Sequence, residues 1–175
     1  RTVSYQYSGG NLTAVTDRRG HTWTYTYDND GRMTAFSDPQ GGTVTNVYDS
    51  AGRVVVQRNP LDQATTLAYD GGQTVVTGPD NQTTTYVYSA AGLLASATDD
   101  LGHTTTYTYD DNGNVTTVTD PLGRTTEFTW NGQGCSPSSI EDAMGHTTTL
   151  SYDARNNLLA ITDPLGRSTH FGYAA

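Results

Sequence analysis

The feature that most limits what this chain can become is a period of about 21 residues that runs from one end to the other. Residues 99–119, DDLGHTTTYTYDDNGNVTTVT, hold one whole period. A four-residue turn, Asp99-Asp100-Leu101-Gly102, leads into residues 103–109. A second turn of the same form, Asp110-Asp111-Asn112-Gly113, leads into residues 114–119, and the next period begins at Asp120. A repeat this short cannot bury a face alone, so it predicts an array in which neighbouring copies complete one another.

Asp-x-x-Gly fits a type I turn closed by a left-handed fourth residue, the form that joins strands through a glycine bulge. The first turn recurs at Asp17, Asp38, Asn59, Gly78, Asp99, Asp120, Asp142 and Asp163. Its fourth residues are Gly20, Gly41, Asp62, Asn81, Gly102, Gly123, Gly145 and Gly166. Where glycine is missing, Asp or Asn stands in, the other residues enriched at positive φ. Pro39, Pro60, Pro79, Pro121 and Pro164 sit second, where a type I turn needs φ near the proline value.

Between turns, threonine alternates with aromatics, as in His21-Thr22-Trp23-Thr24-Tyr25-Thr26-Tyr27. Successive strand residues point to opposite faces, so this pattern predicts a half-buried strand with the rings on one side. Ten residues after each first-turn start stands an aromatic: Tyr27, Tyr48, Tyr69, Tyr88, Tyr109, Trp130, Tyr152 and Tyr173. The second strand of each period is ambiguous. Apolar residues fall two after the turn glycine (Leu12, Met33, Val54, Leu94, Val115) and five after it (Val15, Phe36, Ala97, Val118). Those positions have opposite parity, so either a bulge intervenes or both faces are partly covered.

The expected fold is all-β: an antiparallel up-and-down meander of about eight units over residues 1–175. Some seventeen strands at ~4.8 Å spacing make a sheet roughly 80 Å wide with strands roughly 20–25 Å long. Open twisted sheets rarely exceed about ten strands without curling. With rings on one face, a curved or spiralling wall is expected. Only 34% of the residues are hydrophobic and threonine accounts for 32 of 175. Strict alternation nonetheless argues against disorder. The net charge of −9, without a single lysine, lacks the basic footprint that nucleic acid requires. No apolar run is long enough for a membrane-spanning helix, and no secretory signal opens the sequence. Cys135 is alone, which excludes an intrachain disulfide, and no local Cys-His motif marks it as catalytic.

The string Tyr-x-Tyr-Asp-x-x-Gly-x-Leu/Val followed by Asp-Pro-x-Gly resembles the YD repeat of the Rhs family. Residues 25–31, YTYDNDG, and 107–113, YTYDDNG, match closely, and Tyr48-Asp49, Tyr69-Asp70 and Tyr152-Asp153 carry the naming dipeptide. Proteins with such repeats include bacterial polymorphic toxins, insecticidal toxin-complex components and the teneurins of animal cell surfaces. The resemblance implies a sheet wound into part of a hollow shell, a cocoon enclosing a C-terminal effector, on a secreted or cell-surface protein. It implies a structural, non-enzymatic role whose partners are the remaining repeats and the enclosed effector. Family shells end in a cleavage segment with Leu after Asp-Pro-x-Gly. Here Arg124 and Arg167 follow Gly123 and Gly166, so self-cleavage is not expected of these turns.

Sharper readings compete with that one. His21, His103 and His146 occupy one position of the repeat, but His103 and His146 should lie roughly 19 Å apart in a single layer, too far to share a metal. The acids at 28–31 and 110–114 are similar to the start of a calcium loop, yet the twelfth positions are Pro39 and Pro121 rather than Glu. Tyrosine and tryptophan ladders also suit sugar stacking, the basis of an alternative as an adhesive or carbohydrate-binding module. No nucleophile, base and orienting acid stand out, and no cofactor is expected. The first and last strands look cut from a longer array, and unprotected edges predict self-association of the chain.

Overall fold

Threonine and aromatic alternation forms strands wherever the turns release the chain. The computed structural model describes residues 2–132 and 136–173, and Cys135 lies outside them. The fold is all-β and up-and-down antiparallel, and the described residues contain no helix. The chain forms two units, residues 1–84 and 85–175.

The first unit holds β1 (Ser4–Ser8), β2 (Asn11–Thr16), β3 (Thr22–Tyr27), β4 (Met33–Ser37), β5 (Thr43–Tyr48), β6 (Val54–Arg58), β7 (Ala64–Asp70) and β8 (Gln73–Thr77). The boundary falls within β9 (Thr83–Tyr88). The second unit continues with β10 (Leu94–Thr98), β11 (Thr104–Tyr109), β12 (Val115–Thr119), β13 (Thr125–Trp130), β14 (Pro137–Glu141), β15 (Thr147–Tyr152), β16 (Leu158–Thr162) and β17 (Ser168–His170). Within each unit, strands that follow one another in the chain pair with one another.

A bulge resolves the parity of the second strands. In the β3–β4 pair, Thr26 faces Ala35 while Tyr27 faces Met33, so Thr34 is the extra residue. That single insertion returns Met33 to the face of Phe36, opposite Tyr27 and Tyr25 respectively. The same slip occurs in the β9–β10, β11–β12, β13–β14 and β15–β16 pairs. The β7–β8 pair lacks it. Its turn is the two-residue Gly71-Gly72, with φ of 49° and 87°, and the register runs unbroken from Leu67↔Val76 to Asp70↔Gln73.

One face therefore carries ring and aliphatic columns, including Tyr25 against Phe36 with centroids 5.5 Å apart. The other carries hydroxyls that bond across strands, such as Thr98 to Thr104 at 2.8 Å and Thr119 to Thr125 at 2.9 Å. Neither face is deeply buried. Among the described residues Ala14, 6% exposed, is the only buried apolar residue. Within each unit the apolar columns pack against their neighbours in the sheet and stay half-buried.

Candidate functional site

Two repeated constructions organise the surface: a clasp at each turn and a ring-to-backbone bond on the aromatic face. At Asp120 the carboxylate Oδ1 accepts from the Leu122 and Arg124 amides at 2.9 and 3.0 Å. Its Oδ2 accepts from Arg124 Nε at 2.6 Å. The Gly123 amide donates to the Asp120 carbonyl at 2.9 Å, and Gly123 takes φ of 78°. One carboxylate thus satisfies the turn and pins the residue that follows it.

The clasping residue varies while the geometry stays. Arg does it from Asp28 to Arg32, Asp49 to Arg53 and Asp163 to Arg167. Asn does it from Asp110 to Asn114 and Asp153 to Asn157, both at 2.9 Å. The three repeat histidines fill the same place: His21, His103 and His146 bring Nδ1 to 3.1, 2.9 and 3.0 Å from Oδ2 of Asp17, Asp99 and Asp142. The repeat position of these histidines is set by their own turn. Where Gly42 follows the turn, Asp38 Oδ2 occupies the space that a Cβ would need, 2.6 Å away.

These bonds lower the carboxyl pKa values. At Asp120 and Asp110 the side-chain bonds from Arg124 and Asn114 are the largest influence. At Asp163 the Arg167 amide contributes most. Partial desolvation opposes the shift at Asp99, where the side-chain and backbone bonds from His103 still leave it lowered.

The aromatic position carries the second construction. Tyr48, Tyr69, Tyr109, Tyr152 and Tyr173 donate their hydroxyls to the carbonyls of Met33, Val54, Leu94, Pro137 and Leu158 at 2.6 to 3.0 Å. Trp130 substitutes its indole N–H, 2.7 Å from the Val115 carbonyl. Each acceptor is the residue just before a bulge. Backbone pairing to the following strand stops short of it, as β4–β5 covers only Ala35 to Ser37. The ring supplies the missing donor to a half-buried carbonyl. Arg32 and Arg53 lie over the same rings, 4.9 Å from the Tyr48 centroid and 4.4 Å from that of Tyr69.

Among the other repeat positions, Tyr27 lies half-buried opposite Met33 and Tyr88 lies exposed opposite Leu94. Gly20, Gly41, Gly102, Gly145 and Gly166 have φ of 89°, 89°, 83°, 80° and 79°. Asp62 and Asn81 take 60° and 63° in the same role. The bonds from turn amides to the first-position Asp are those expected of that residue in such a turn. Sequence reasoning missed the second half of the clasp, from Oδ2 to the side chain after the turn, although a polar hydrogen-bonding residue after most turn glycines signalled it. It also missed Asn46 and Gln57, which face each other in the apolar column. Asn46 donates to the Met33 carbonyl at 3.1 Å and accepts from Gln57 Nε2 at 3.0 Å. No group of three or more metal-ligating side chains converges among the described residues.

Clasped hairpins with a ring bonded to the neighbouring strand define this chain as a YD-repeat sheet. It belongs to the Teneurin YD-shell family, whose description matches residues 1–171. Its fold is similar to that in the Photorhabdus luminescens Tc holotoxin pore, with a TM-score of 0.59 and 16% identity over 91% of this chain. It is also similar to TcdB2-TccC3, with a TM-score of 0.50 and 17% identity over 93%. The chain spans 12% of the length of either solved chain. No curated protein matches it in sequence.

Proposed function

We propose that this chain is a wall segment of a secreted or cell-surface YD-shell protein, a non-enzymatic part that helps enclose a C-terminal effector. The observation that carries this reading is the use of the aromatic column. Six rings bond to the backbone of the preceding strand, so the aromatic side chains build the sheet rather than await a ligand. Family membership and the toxin-complex fold support it, as does the small share of those chains that this one spans. The eight units are then part of a longer wall. The acidic surface, with nine basic against 18 acidic residues, supports a partner other than nucleic acid.

The test is limited proteolysis of the full-length parent protein carrying Gly102→Val or Tyr109→Phe with Tyr152→Phe. A wall function predicts that domains beyond the repeats become cleavable faster than in the wild type. Unchanged protection, together with saturable binding of this chain on a glycan array, would replace the wall reading with the adhesive one.

A further inference from the structure

The two rims of the second unit differ in character. On the first-turn rim, the third residue of each turn is Leu101, Leu122, Met144 and Leu165, and these side chains are 75–78% exposed. On the opposite rim the equivalent residues are Ala91, Asn112 and Arg155. Four large apolar tips in an unbroken row are unusual for exposed turns, where polar residues suffice for the geometry. In the first unit the same position holds Arg19, Gln40 and Asp80, with only Leu61 apolar. The turns there still close on left-handed residues, Gly20, Gly41 and Asn81. Turn conformation therefore does not call for leucine at the tip.

Consecutive tips are two strands apart, about 9.6 Å. Between them lie notches. One of about 400 Å³ separates the Asp120 and Asp142 turns, lined by Arg124, Ala143 and Met144 among others. Another of about 370 Å³ lies between the Asp142 and Asp163 turns, lined by His146, Pro164, Leu165 and Arg167. Two of the three intervals between the four tips thus carry a notch.

We propose that this rim is a self-complementary docking surface whose partner is the same rim of a second copy of the chain. A row with a fixed period is matched in register by another row of that period, displaced by half a step so that tips of one copy enter the notches between the Asp120, Asp142 and Asp163 turns of the other. Among the described residues the opposite rim offers no large apolar tip to meet it, so like rim pairs with like rim, and a two-fold arrangement closes at two copies. Four tips contribute on the order of 500 Å² per copy, and a pair reaches about 1,000 Å², the lower bound of a specific but weak interface. The rim acids Asp120 and Asp163 are paired with Arg124 and Arg167, which offsets part of the like-charge repulsion between two such rims.

Sedimentation of the 175-residue chain over a wide concentration range tests this. The wild type should show a reversible monomer–dimer equilibrium. Changing all four tips to serine (L101S, L122S, M144S, L165S) should weaken it about tenfold or more, with the melting temperature preserved because polar tips already occur in this turn. The single Leu122→Ser, central in the row, should weaken it several-fold if the fourfold variant folds poorly. Leu61→Ser, flanked by polar tips, should leave it unchanged. A monomer at every concentration overturns the proposal. So does association that ignores the tip changes, grows beyond two copies, or disappears with Tyr5→Lys on the first strand instead.

Discussion

The hydroxyl of Tyr48 lies 2.6 Å from the carbonyl of Met33, fifteen residues earlier in the chain and on the neighbouring strand. Met33 precedes the bulge at Thr34, which takes its carbonyl out of the regular ladder. A carbonyl has two lone pairs, and Asn46 Nδ2 fills the second at 3.1 Å. The bulge and the ring are thus a matched pair: one frees an acceptor that the other supplies.

Tyr109→Phe keeps the ring and removes the donor to the Leu94 carbonyl. The expected loss is about 0.5–1.5 kcal/mol in denaturant unfolding. Tyr107→Phe, two residues earlier on the same face, removes no such bond and should cost less. Equal losses would show that the hydroxyl of Tyr109 contributes nothing beyond its neighbour's.

Gly102 has φ of 83°, and a Cβ built there meets no atom within 4 Å. Any cost of Gly102→Val is therefore conformational, on the order of 1–3 kcal/mol. Leu101→Val in the same turn should cost about 1 kcal/mol or less. Gly102→Asn should fall between the two, since Asn81 and Asn156 adopt this conformation at φ of 63° and 65°. Thermal melts of the three variants give the order directly.

Acid should loosen the turns together. Nine turn aspartates, among them Asp28, Asp49, Asp120 and Asp163, have lowered pKa values in the folded chain. A depressed carboxyl contributes fully above its unfolded pKa, and the contribution is lost as pH falls through the folded value. The melting temperature should be insensitive to these groups above about pH 5 and drop as pH falls below about 4. Asp120→Asn retains the amide acceptor, as Asn59 does for Leu61 and Gln63, and should make the acid drop shallower. A melting temperature that rises on acidification would contradict the clasp.

The only two glutamates of the chain, Glu127 and Glu141, stand directly opposite each other in the β13–β14 pair. Equivalent pairs elsewhere are Thr24–Ser37, Thr106–Thr119 and Thr149–Thr162. Like charges directly opposed destabilise a sheet, so Glu127→Thr should raise stability by a few tenths to about 1 kcal/mol. The gain should shrink in high salt. No change at low salt would mean that the carboxylates splay apart at no cost.

Much of this architecture was legible in the chain because it is local. A left-handed fourth residue and a proline-compatible second residue are properties of four consecutive positions, so the turns from Asp17 to Asp163 could be read one by one. Alternation in residues 21–27 assigned the rings to one face for the same reason. What only the tertiary structure decided involves partners on other strands. The bulge at Thr34 is a matter of which residue Tyr27 faces, and the composition of β4 alone is compatible with either parity. The hydroxyl of Tyr48 finds its acceptor only once β5 lies beside β4. His103, which alone resembles a ligand in waiting, is bound by Asp99 when the hairpin closes. Local backbone preferences act within a few residues and leave their mark in every copy. Register and side-chain partnership depend on the neighbouring strand, and they become definite only when that strand is in place.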